Sequence, residues 1–573
     1  MTTTVTTEAE SAGTVAAGAE AGTAAQRGIA AVSRGLSEPR EYHAARWSEP
    51  LVFAYDVPGS RGVRIPTLPA ELLEGLEASP EARVASSRDI GLPEIAQAQV
   101  QRHYLRLSQE TLGADLNVDI GQGTCTMKYS PKINEQFVRA PQAAEIHPLQ
   151  HESTVQGALQ IIHELEQYLC EISGMDAVSL QAPAGSAAIF GNVSLVKAYH
   201  AARGEAEQRT EIITTVFSHP SNAATAKTLG YSVVTLYPGE DGLVSLDALR
   251  AVLSERTAAV LITNPEDTGI FNPDISEIVD AVHAVGALGV YDQANANGML
   301  GITNARRAGF DICHFNLHKT FSTPHACGGP AAGAMCVTRE IEPFLPGPRV
   351  RERDGVYSLQ EGGPQAVAPI RPFYGVVPNL IRAYAWIRAL GGDGLRQVAE
   401  DAVLNNNYIL ARLRDEPGVV ASYDVPGRLP IEQVRYSWQR LTDETGVTSA
   451  EIGSRMADYG FHYWTSHHPY IVPEPATIEP TESYSKAELD EYVNALIRVA
   501  GEARENPELV RTAPHRSSIH RVHEEAMSDP ETWATSWRAY RRKYRGGSAP
   551  VPEHWTPPAG FEPRERPEKA FHR

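Results

Sequence analysis

The sequence has few cysteines, no long apolar run and fewer basic than acidic residues. Its five cysteines are odd in number and form no CxxC pair, which favours reduced thiols in a cytoplasmic protein. No run of about 18 apolar residues is present, and the N-terminus lacks a basic region followed by an apolar one, so we expect neither a membrane span nor secretion. The formal net charge of -19 argues against nucleic acid as the main partner, because clustered cations bind a phosphate backbone.

The length and composition are those of a folded enzyme of several domains. With 573 residues the chain can form two or three domains, and 42% hydrophobic against 21% charged residues is ordinary for a globular protein. Residues 1–38 consist largely of small and polar residues that cannot offset the entropy of ordering, so we predict a disordered tail. After about position 515, aromatic residues lie among Arg, Pro and Glu, which predicts an extension that packs onto the rest of the chain.

Alternating helical and strand-like patterns predict an α/β sheet. Apolar residues from Thr154 to Ile172 recur at spacings of three and four, which predicts a helix, and Ser153 with Gln156 resembles a capping box. Strand-like runs follow at 212–217, 233–236, 258–263, 288–291 and 310–315, and helical patterns such as 275–285 separate some of them. In such sheets ligands bind beyond the carboxyl ends of the strands, so the residues that follow each strand are the first candidates for a site.

Lys319 lies between a strand-like run and a turn rich in small residues. Residues 310–316 alternate like a strand, and residues 326–333 have little side chain to block a ligand. A desolvated lysine amine forms Schiff bases, and pyridoxal 5'-phosphate (PLP) is the commonest cofactor that uses one. A solvated surface lysine is the competing interpretation.

A phosphate site is predicted where small residues lead into a helix. Ala184, Gly185 and Ser186 precede a helical pattern from Ile189 to His200. Backbone amides and the positive end of the helix dipole attract an anion there, and the Ser186 hydroxyl would add a donor. The alternative is a tight helix start without a ligand.

Two further side chains follow strands and suit the same cofactor. His219 follows the run 212–217 and could lie flat on an aromatic ring, although a lone histidine is usually structural. Asp292 follows the run 288–291 and could hold a protonated pyridine nitrogen, although an aspartate after a strand is commonly a cap. Asp292 precedes Lys319 by enough residues for one helical crossover to an adjacent strand, so both side chains could face one cofactor.

Over roughly residues 100–515 the chain closely resembles subunit 2 of the glycine decarboxylase P-protein, a PLP enzyme of the aminotransferase-like fold type I. The segments that carry the resemblance include SHPSNAATA, NLHKTFSTPH, EDAVLNNNYILARL and IEPTES. The resemblance implies an α/β large PLP-binding domain at 116–345 with a mixed, mostly parallel sheet and a smaller α+β domain at 346–515. An N-terminal arm at 39–115 and an extension at 516–573 would flank them.

The resemblance also implies roles for individual residues. Lys319 would be the Schiff-base lysine, Asp292 the pyridinium partner and His219 the residue that stacks on the ring. The phosphate cradle would consist of Ala184, Gly185 and Ser186, assisted by Thr320.

Several segments depart from the family pattern. Where the family typically has AAGAHGE, this chain has AGSAAI at 184–189, which loses a histidine and a glutamate. The family's NPNTLG is NPEDTG at 264–269, its MHEFV-like segment is replaced near 434–438, and the stretch after DYGFH is altered at 463–469. These changes suggest that PLP chemistry acts on another, larger amino acid or second reactant, with Tyr463 and Trp464 either in the core or stacked on a heteroaromatic group.

Three histidines near this last segment invite a metal interpretation. His467 and His468 are adjacent and His462 lies close in sequence, but neighbouring histidines rarely point at one ion. No cysteine or carboxylate cluster accompanies them, so we predict no metal site.

The residues and the resemblance lead to three hypotheses. In all catalytic readings an α-amino acid displaces Lys319 from PLP, and a bond at Cα breaks to give a quinonoid carbanion. The favoured hypothesis is a biosynthetic, secondary-metabolism lyase or transferase that carries out elimination or carbon–carbon bond formation, with S-adenosylmethionine as one candidate donor of a γ leaving group. The alternative is a glycine decarboxylase subunit 2 that transfers the decarboxylated aminomethyl group to a lipoylated H-protein, with subunit 1 as partner.

The third hypothesis is a non-catalytic structural subunit, which the retained lysine, aspartate and histidine argue against. Because fold type I sites are generally built at a dimer interface, we expect a homodimer.

Overall fold

The structure, a computed structural model, describes residues 39, 42–60, 62–63, 66–67, 69–77, 92–112, 118–121, 125–126, 128–147, 150–324, 331–463, 471–518 and 521. The chain divides into two compact units, one made of residues 1–41 and 114–512, the other of residues 42–113 and 513–573. The region predicted as the large domain and residues 346–512 of the region predicted as the small domain belong to the first unit. The predicted tail at 1–38 lies outside the described residues, as does the predicted extension apart from residues 516–518 and 521.

A seven-stranded sheet forms the centre of the first unit. Its strands are β1 (Ala177–Ser179), β2 (Glu211–Thr215), β3 (Ser232–Leu236), β4 (Thr257–Thr263), β5 (Leu288–Gln293), β6 (Ile312–Asn316) and β7 (Gly333–Val337). They lie in the order β1-β7-β6-β5-β4-β2-β3. Strand β7 is antiparallel to both neighbours and the other pairs are parallel. The predicted α/β fold with a mixed, mostly parallel sheet is confirmed.

Five more strands complete the described sheets. Strands β8 (Arg349–Arg353) and β9 (Val356–Gln360) form an antiparallel pair. Strands β10 (Val420–Ala421), β11 (Val434–Ser437) and β12 (Pro475–Ile478) form an antiparallel sheet whose core includes Trp438, Tyr436 and Tyr492.

The described helices run along the whole chain. They are α1 (Ala70–Glu77), α2 (Gln97–Gln109), α3 (Ile133–Arg139), α4 (Pro141–Ala144), α5 (Gln156–Ser173), α6 (Gly185–Ala202), α7 (Pro220–Thr228), α8 (Leu246–Val252), α9 (Ile275–Ala284), α10 (Val377–Leu413), α11 (Gln439–Thr445), α12 (Ser449–Ala457), α13 (Lys486–Glu505) and α14 (Pro507–Arg511). Within the described part of the chain, none of these helices is long and apolar enough to cross a membrane.

Helix α5 occupies the position predicted from its apolar spacing, but the predicted capping box is wrong. The N-cap residue is Val155, no side chain caps the helix, and Ser153 belongs to a short 3-10 turn. Gln156 instead donates its side-chain amide to the carbonyl oxygens of Glu152 (3.0 Å) and Tyr357 (2.7 Å). It also accepts from the Tyr357 backbone N–H at 2.9 Å, so its amide satisfies backbone groups of β9 that lie outside the helix.

The long helix α10 is broken at Gly391. Gly391 has φ 65° and ψ -175°, a combination that only glycine adopts readily. Residues of α10 from Leu380 to Ala399 belong to the core of the seven-stranded sheet, whereas Ile409, Leu410 and Leu413 belong to the core of the three-stranded sheet. One helix therefore connects the two cores.

Candidate active site

A cavity of about 260 Å³ lies at the carboxyl ends of the parallel strands. Its walls include six of the seven predicted site residues, namely Ala184, Gly185, Ser186, His219, Asp292 and Lys319. Residues that the sequence did not single out line it as well, among them Asn295, His314, Asn316 and Glu432. The predicted residues thus come together at one site although they lie far apart in the chain.

Asp292 is a buried carboxylate held by three different elements. Asn222 in α7 donates to its Oδ2 at 3.1 Å, the Ala294 backbone N–H donates to its Oδ1 at 3.1 Å, and His314 Nε2 in β6 lies 3.2 Å from Oδ1. Burial by itself would raise the pKa of Asp292, but His314, His219, the Ala294 N–H and Lys319 together hold that pKa below its ordinary value. The carboxylate is therefore ionised and suited to a cationic N–H donor.

Sequence reasoning missed both side-chain partners of Asp292. Asn222 follows His219 by almost one helical turn, so the start of α7 could have indicated it. His314 is the register partner of Asp292 on the adjacent strand, which only the sheet order reveals.

Lys319 is almost completely buried. It lies in the turn after β6, its backbone N–H donates to the Asn316 carbonyl oxygen at 3.0 Å, and the residue is only 7% exposed. Its positive charge lowers the pKa of Asp292 and of Glu479, which shows that these carboxyls lie within its field. The competing interpretation of a solvated surface lysine does not describe this residue.

The residues predicted as a phosphate cradle lie at the start of α6, at the cavity wall. The N-cap residue Ala184 provides no side-chain cap, so the first-turn N–H groups lack the partner that a polar N-cap supplies. A Cβ atom at position 185 would come within 2.4 Å of the Asn316 side-chain amide, which makes glycine necessary for this close approach. The helix starts four residues earlier than predicted and places Gly185 and Ser186 in its first turn, an arrangement that fits the phosphate of PLP.

His219 lies at the exposed rim of the cavity. It is the N-cap residue of α7, where its Nδ1 accepts from the Ser221 backbone N–H at 3.2 Å and lies 2.6 Å from Ser221 Oγ. These contacts fix the plane of the imidazole at the cavity wall, as a residue that stacks on the cofactor ring requires.

Thr320 is fully buried and is not among the described residues that line the cavity. Its Oγ1 accepts from the Ala296 backbone N–H at 2.9 Å, and its carbonyl oxygen accepts from Lys128 Nζ at 2.8 Å. These contacts join the turn that carries Lys319 to the loop after β5. The assistance of Thr320 to the phosphate stays a prediction.

Two of the departing segments contact each other. Asp267, in the loop after β4, forms a buried ion pair with Arg435 in β11, and the Arg435 guanidinium lies 5.4 Å from the centroid of the Phe217 ring. Asp267 and Phe217 line the cavity. Neighbouring Glu266 accepts from the Thr215 hydroxyl, and burial raises its pKa to about 8. The altered segments therefore pair with each other, and Asp267 places one member of the pair at the cavity wall.

The departing segment at 463–469 is described only at its start. Tyr463 is buried, and its hydroxyl accepts from Trp438 Nε1 at 2.7 Å, so it belongs to the core of the three-stranded sheet. Trp464, His467 and His468 lie outside the described residues.

Two buried glutamates beside the cavity were not predicted. Glu432, just before β11, and Glu479, just after β12, form what we term the acid pair. The Asn295 Nδ2 atom lies 2.6 Å from Glu479 Oε1 and 3.4 Å from Glu432 Oε1, and the Thr126 hydroxyl donates to Glu479 Oε1 at 2.5 Å. Burial raises the pKa of Glu432 to about 8 and that of Glu479 to about 7.

Comparison with known proteins identifies strongly similar chains. The family model "Glycine dehydrogenase, C-terminal domain" matches residues 398–517, and "Aminotransferase class-V" matches residues 191–354. The chain is 42% identical over 503 residues to probable glycine dehydrogenase (decarboxylating) subunit 2 of Pyrococcus horikoshii, covering 87% of this chain and 98% of the relative. It is 40% identical over 510 residues to the protein of the same name from Thermococcus kodakarensis, covering 88% and 99%.

Solved structures agree on the fold. A crystal structure of glycine decarboxylase (P-protein) of the glycine cleavage system matches with a TM-score of 0.62 at 19% identity, covering 76% of this chain and all of that one. A NifS-like protein matches with a TM-score of 0.52 at 16% identity, covering 66% and 97%. Together with the sequence relatives, these matches confirm the predicted PLP-dependent enzyme of fold type I.

The comparisons correct the favoured functional hypothesis. A biosynthetic lyase or transferase with a donor like S-adenosylmethionine is wrong, because relatives that cover more than four fifths of the chain are named glycine dehydrogenase (decarboxylating) subunit 2. The departures around 184–189, 264–269 and 434–438 had suggested a different substrate, but two of these segments are joined by the buried ion pair Asp267–Arg435.

Proposed function

Because the chain belongs to the glycine dehydrogenase (decarboxylating) subunit 2 family, we propose that it decarboxylates glycine. The observation that carries the proposal is the convergence of Lys319, Asp292, His219 and the start of α6 on one cavity. PLP, when bound, supplies an electron sink for the bonds at the substrate Cα. The cavity residues determine where the cofactor is held and which bond is exposed to it.

Each predicted residue has a distinct task in this proposal. Lys319 would hold the aldehyde carbon of PLP and move protons at its Nζ atom, because its amine lies buried at the cavity wall. Asp292 would keep the ring nitrogen protonated, since its own pKa is lowered and its carboxylate is ionised. His219 would cover one face of the ring, and Gly185 and Ser186 would bind the phosphate through their N–H groups.

We further propose that this chain acts with partner proteins. The relatives are named subunit 2, which supports a second kind of subunit as partner. We infer that subunit 1 completes the enzyme, that the aminomethyl group passes to the lipoyl group of a carrier H-protein, and that this chain forms a homodimer.

Bicarbonate exchange tests the proposed function. The chain is combined with PLP, subunit 1 and lipoylated H-protein, and incorporation of labelled bicarbonate into the carboxyl group of glycine is measured. We expect exchange in the wild type and none in Lys319→Ala, which should also lose the visible absorption of the lysine-bound cofactor. Lys227→Ala, at an exposed lysine of α7, is the matched control and should retain both. Absence of exchange in a wild type that shows the visible band would overturn the proposal.

A further inference from the structure

We propose that Glu432 is a substrate-binding residue: the acid pair holds one proton, and Glu432, as the neutral carboxylic acid, donates a hydrogen bond to the carboxylate of glycine. The inference rests on the proposed function, because it takes an amino acid as the ligand of this cavity. It adds a residue that neither the sequence patterns nor the resemblance indicated.

The position of Glu432 allows it to contact a ligand. It lines the same cavity as Lys319 and Asp292, and it is 2% exposed. The Oε2 atoms of Glu432 and Glu479 have no hydrogen-bond partner among the described residues. A buried polar atom without a partner is costly, so the Glu432 carboxyl, which lines the cavity, keeps a capacity for a hydrogen bond that a ligand could use.

The surroundings assign the proton to Glu432. Two buried carboxyls bridged by one amide cannot both be ionised cheaply, because like charges at close range disfavour each other. Burial raises the pKa of Glu479, but Thr126, Lys319, Asn295 and Lys128 lower it in part. Burial and the charge of Glu479 both raise the pKa of Glu432, and Tyr291 is the other titratable group in its field. We therefore assign the proton to Glu432, because Glu479 receives the short hydrogen bonds from Thr126 and Asn295, whereas Asn295 lies 3.4 Å from Glu432.

Asparagines of α10 hold the segments that carry the acid pair. Asn406 Nδ2 donates to the Ile431 carbonyl oxygen at 2.9 Å, and Asn407 Nδ2 donates to that of Pro430 at 2.8 Å. Asn405 Nδ2 donates to the Thr481 carbonyl oxygen at 2.9 Å, close to Glu479. A Cβ atom at Gly298 would come within 2.6 Å of Glu432 Oε2, so the loop after β5 packs directly against this carboxyl. The carboxyl is thus fixed in place before any ligand arrives.

The other cavity residues leave the substrate carboxylate in need of a donor. No arginine occurs among the described residues that line the cavity, and Lys319 is engaged in holding the cofactor under the proposed function. A neutral acid binds a carboxylate through one hydrogen bond without the strong stabilisation that a cation gives. This suits a carboxylate that departs as carbon dioxide, because tight ground-state binding of the leaving group would oppose the reaction.

Glycine titrations of the PLP-loaded protein combined with subunit 1 test the assignment. Glycine affinity is measured from the change in the visible band between about pH 6 and pH 9, across the range in which Glu432 loses its proton. We expect wild-type affinity to fall as the pH rises past 8, the pKa of Glu432. Glu432→Gln keeps a donor that does not titrate, so it should bind glycine with little pH dependence. Glu432→Leu removes the donor and should weaken binding about tenfold or more, the equivalent of one hydrogen bond to a charged group.

Infrared difference spectra give a second readout that does not depend on turnover. Addition of glycine to the wild type should shift the carbonyl stretch of a protonated carboxylic acid, and this shift should be absent in Glu432→Gln. Glu266→Gln is the matched control, because Glu266 is equally buried near the same wall, has a raised pKa and is not among the described lining residues. It should retain the infrared shift and the pH dependence of binding.

The outcomes separate the inference from the proposed function. A wild type whose visible band does not respond to glycine overturns the proposed function and the inference with it. A wild type that responds, together with Glu432 variants that bind glycine with the same affinity, pH dependence and infrared shift, overturns the inference alone. Circular dichroism of each variant establishes that it is folded, and Glu432→Gln decides the outcome should Glu432→Leu fail to fold.

Discussion

At the scale of single residues, the ionised carboxylate of Asp292 is stabilised by groups from two other elements and from the loop that follows its own strand. Asn222 and the Ala294 N–H each donate to a different oxygen of the carboxylate, and His314 lies beside the second of these oxygens. This arrangement keeps an ionised carboxylate in a buried position, where a charge acts more strongly than it would in solvent. Under the proposed function, the cofactor ring requires the negative charge of Asp292 rather than its shape.

Asp292→Asn tests that requirement with almost no change in volume. We expect glycine-dependent bicarbonate exchange to fall about 10²–10³-fold, as for loss of one preorganised electrostatic contact, while the fold stays intact. Asp247→Asn, at a side chain that is 96% exposed, should leave exchange unchanged. Exchange by Asp292→Asn within a few-fold of the wild type would contradict the role of this carboxylate.

Gly185→Ala tests the phosphate cradle. The new methyl group would displace the Asn316 side chain and crowd the first turn of α6, so we expect PLP affinity to fall about tenfold, the loss of roughly one hydrogen bond to a charged group. A spectroscopic titration of the apoprotein with PLP measures it. Gly157→Ala in α5 is the control, because a Cβ atom there meets nothing within 4 Å. Equal PLP affinity of the two variants would argue against a cradle at this helix.

Site residues that follow strands could be found from the sequence, whereas those brought in by tertiary structure could not. Lys319, Asp292 and His219 each follow an apolar run, and parallel strands deliver such residues to one edge of the sheet. His314 lies within a strand, where the sequence pattern does not distinguish it from its neighbours. Glu432 and Glu479 lie more than 100 residues beyond Lys319, at the ends of strands in a different sheet. Nothing in the local pattern marks a glutamate as buried.

At the scale of elements, the loop after β4 and strand β11 are joined by the buried pair Asp267–Arg435. Burial raises the pKa of Asp267, and Arg435 opposes that rise. Both residues lie in segments that depart from the family pattern, so each change supplies the partner of the other. A buried ion pair of this kind costs much to break, although replacing both partners together costs less.

Arg435→Met should destabilise the protein by about 3–5 kcal/mol, because it leaves Asp267 buried without its cation. Asp267→Asn should also destabilise, and the double variant should lose less than the sum of the two. Denaturant unfolding of the full chain measures these values. The exposed pair Arg428–Asp241 gives the control, and Arg428→Met should cost at most about 1 kcal/mol. Strict additivity of the two buried changes would show that the pair is not coupled.

Strands with continuous apolar runs were predicted well, and elements defined by their partners were not. The buried strands β4 and β5 appear in the sequence as uninterrupted apolar runs, as expected for parallel strands covered on both faces. Strand β7 was not predicted, because it begins at Gly333, the last residue of a segment interpreted as a turn rich in small residues. It is defined by its antiparallel pairing with β1 and β6. The capping box at the start of α5 was predicted wrongly because the Gln156 side chain hydrogen-bonds to strand β9 and does not cap its own helix.

At the scale of the whole molecule, buried carboxyls make stability depend on pH. Glu166 in α5 lies in the core away from the cavity, and burial raises its pKa from 4.5 to about 8, although Arg349 and Arg351 oppose the rise. Between these two values the folded state holds a proton that the unfolded state has released. The contribution of Glu166 to stability is therefore greatest below pH 4.5 and falls as the pH rises towards 8.

Glu166→Gln should remove this dependence. The free energy of unfolding of the variant is compared with that of the wild type at an acidic pH and at about pH 9. We expect the difference, variant minus wild type, to be about 1–3 kcal/mol larger at about pH 9, because the amide has no charge to bury. Unfolding free energies at the two pH values measure the difference. Glu171→Gln, at an exposed position of the same helix, should show the same pH profile as the wild type. A parallel profile for Glu166→Gln would mean that Glu166 is not the titrating group.

The break at Gly391 lies within the part of α10 that packs on the core of the seven-stranded sheet, since Leu380 and Leu395 on either side of it belong to that core. The first half of α10 lies in the core of the sheet that carries Lys319 and Asp292, and the asparagines of its second half hold the segments that carry Glu432 and Glu479. One helix therefore spans the distance from the sheet core to the backbone beside the acid pair, so that a substitution along α10 would reach residues on both sides of the cavity without lying in it.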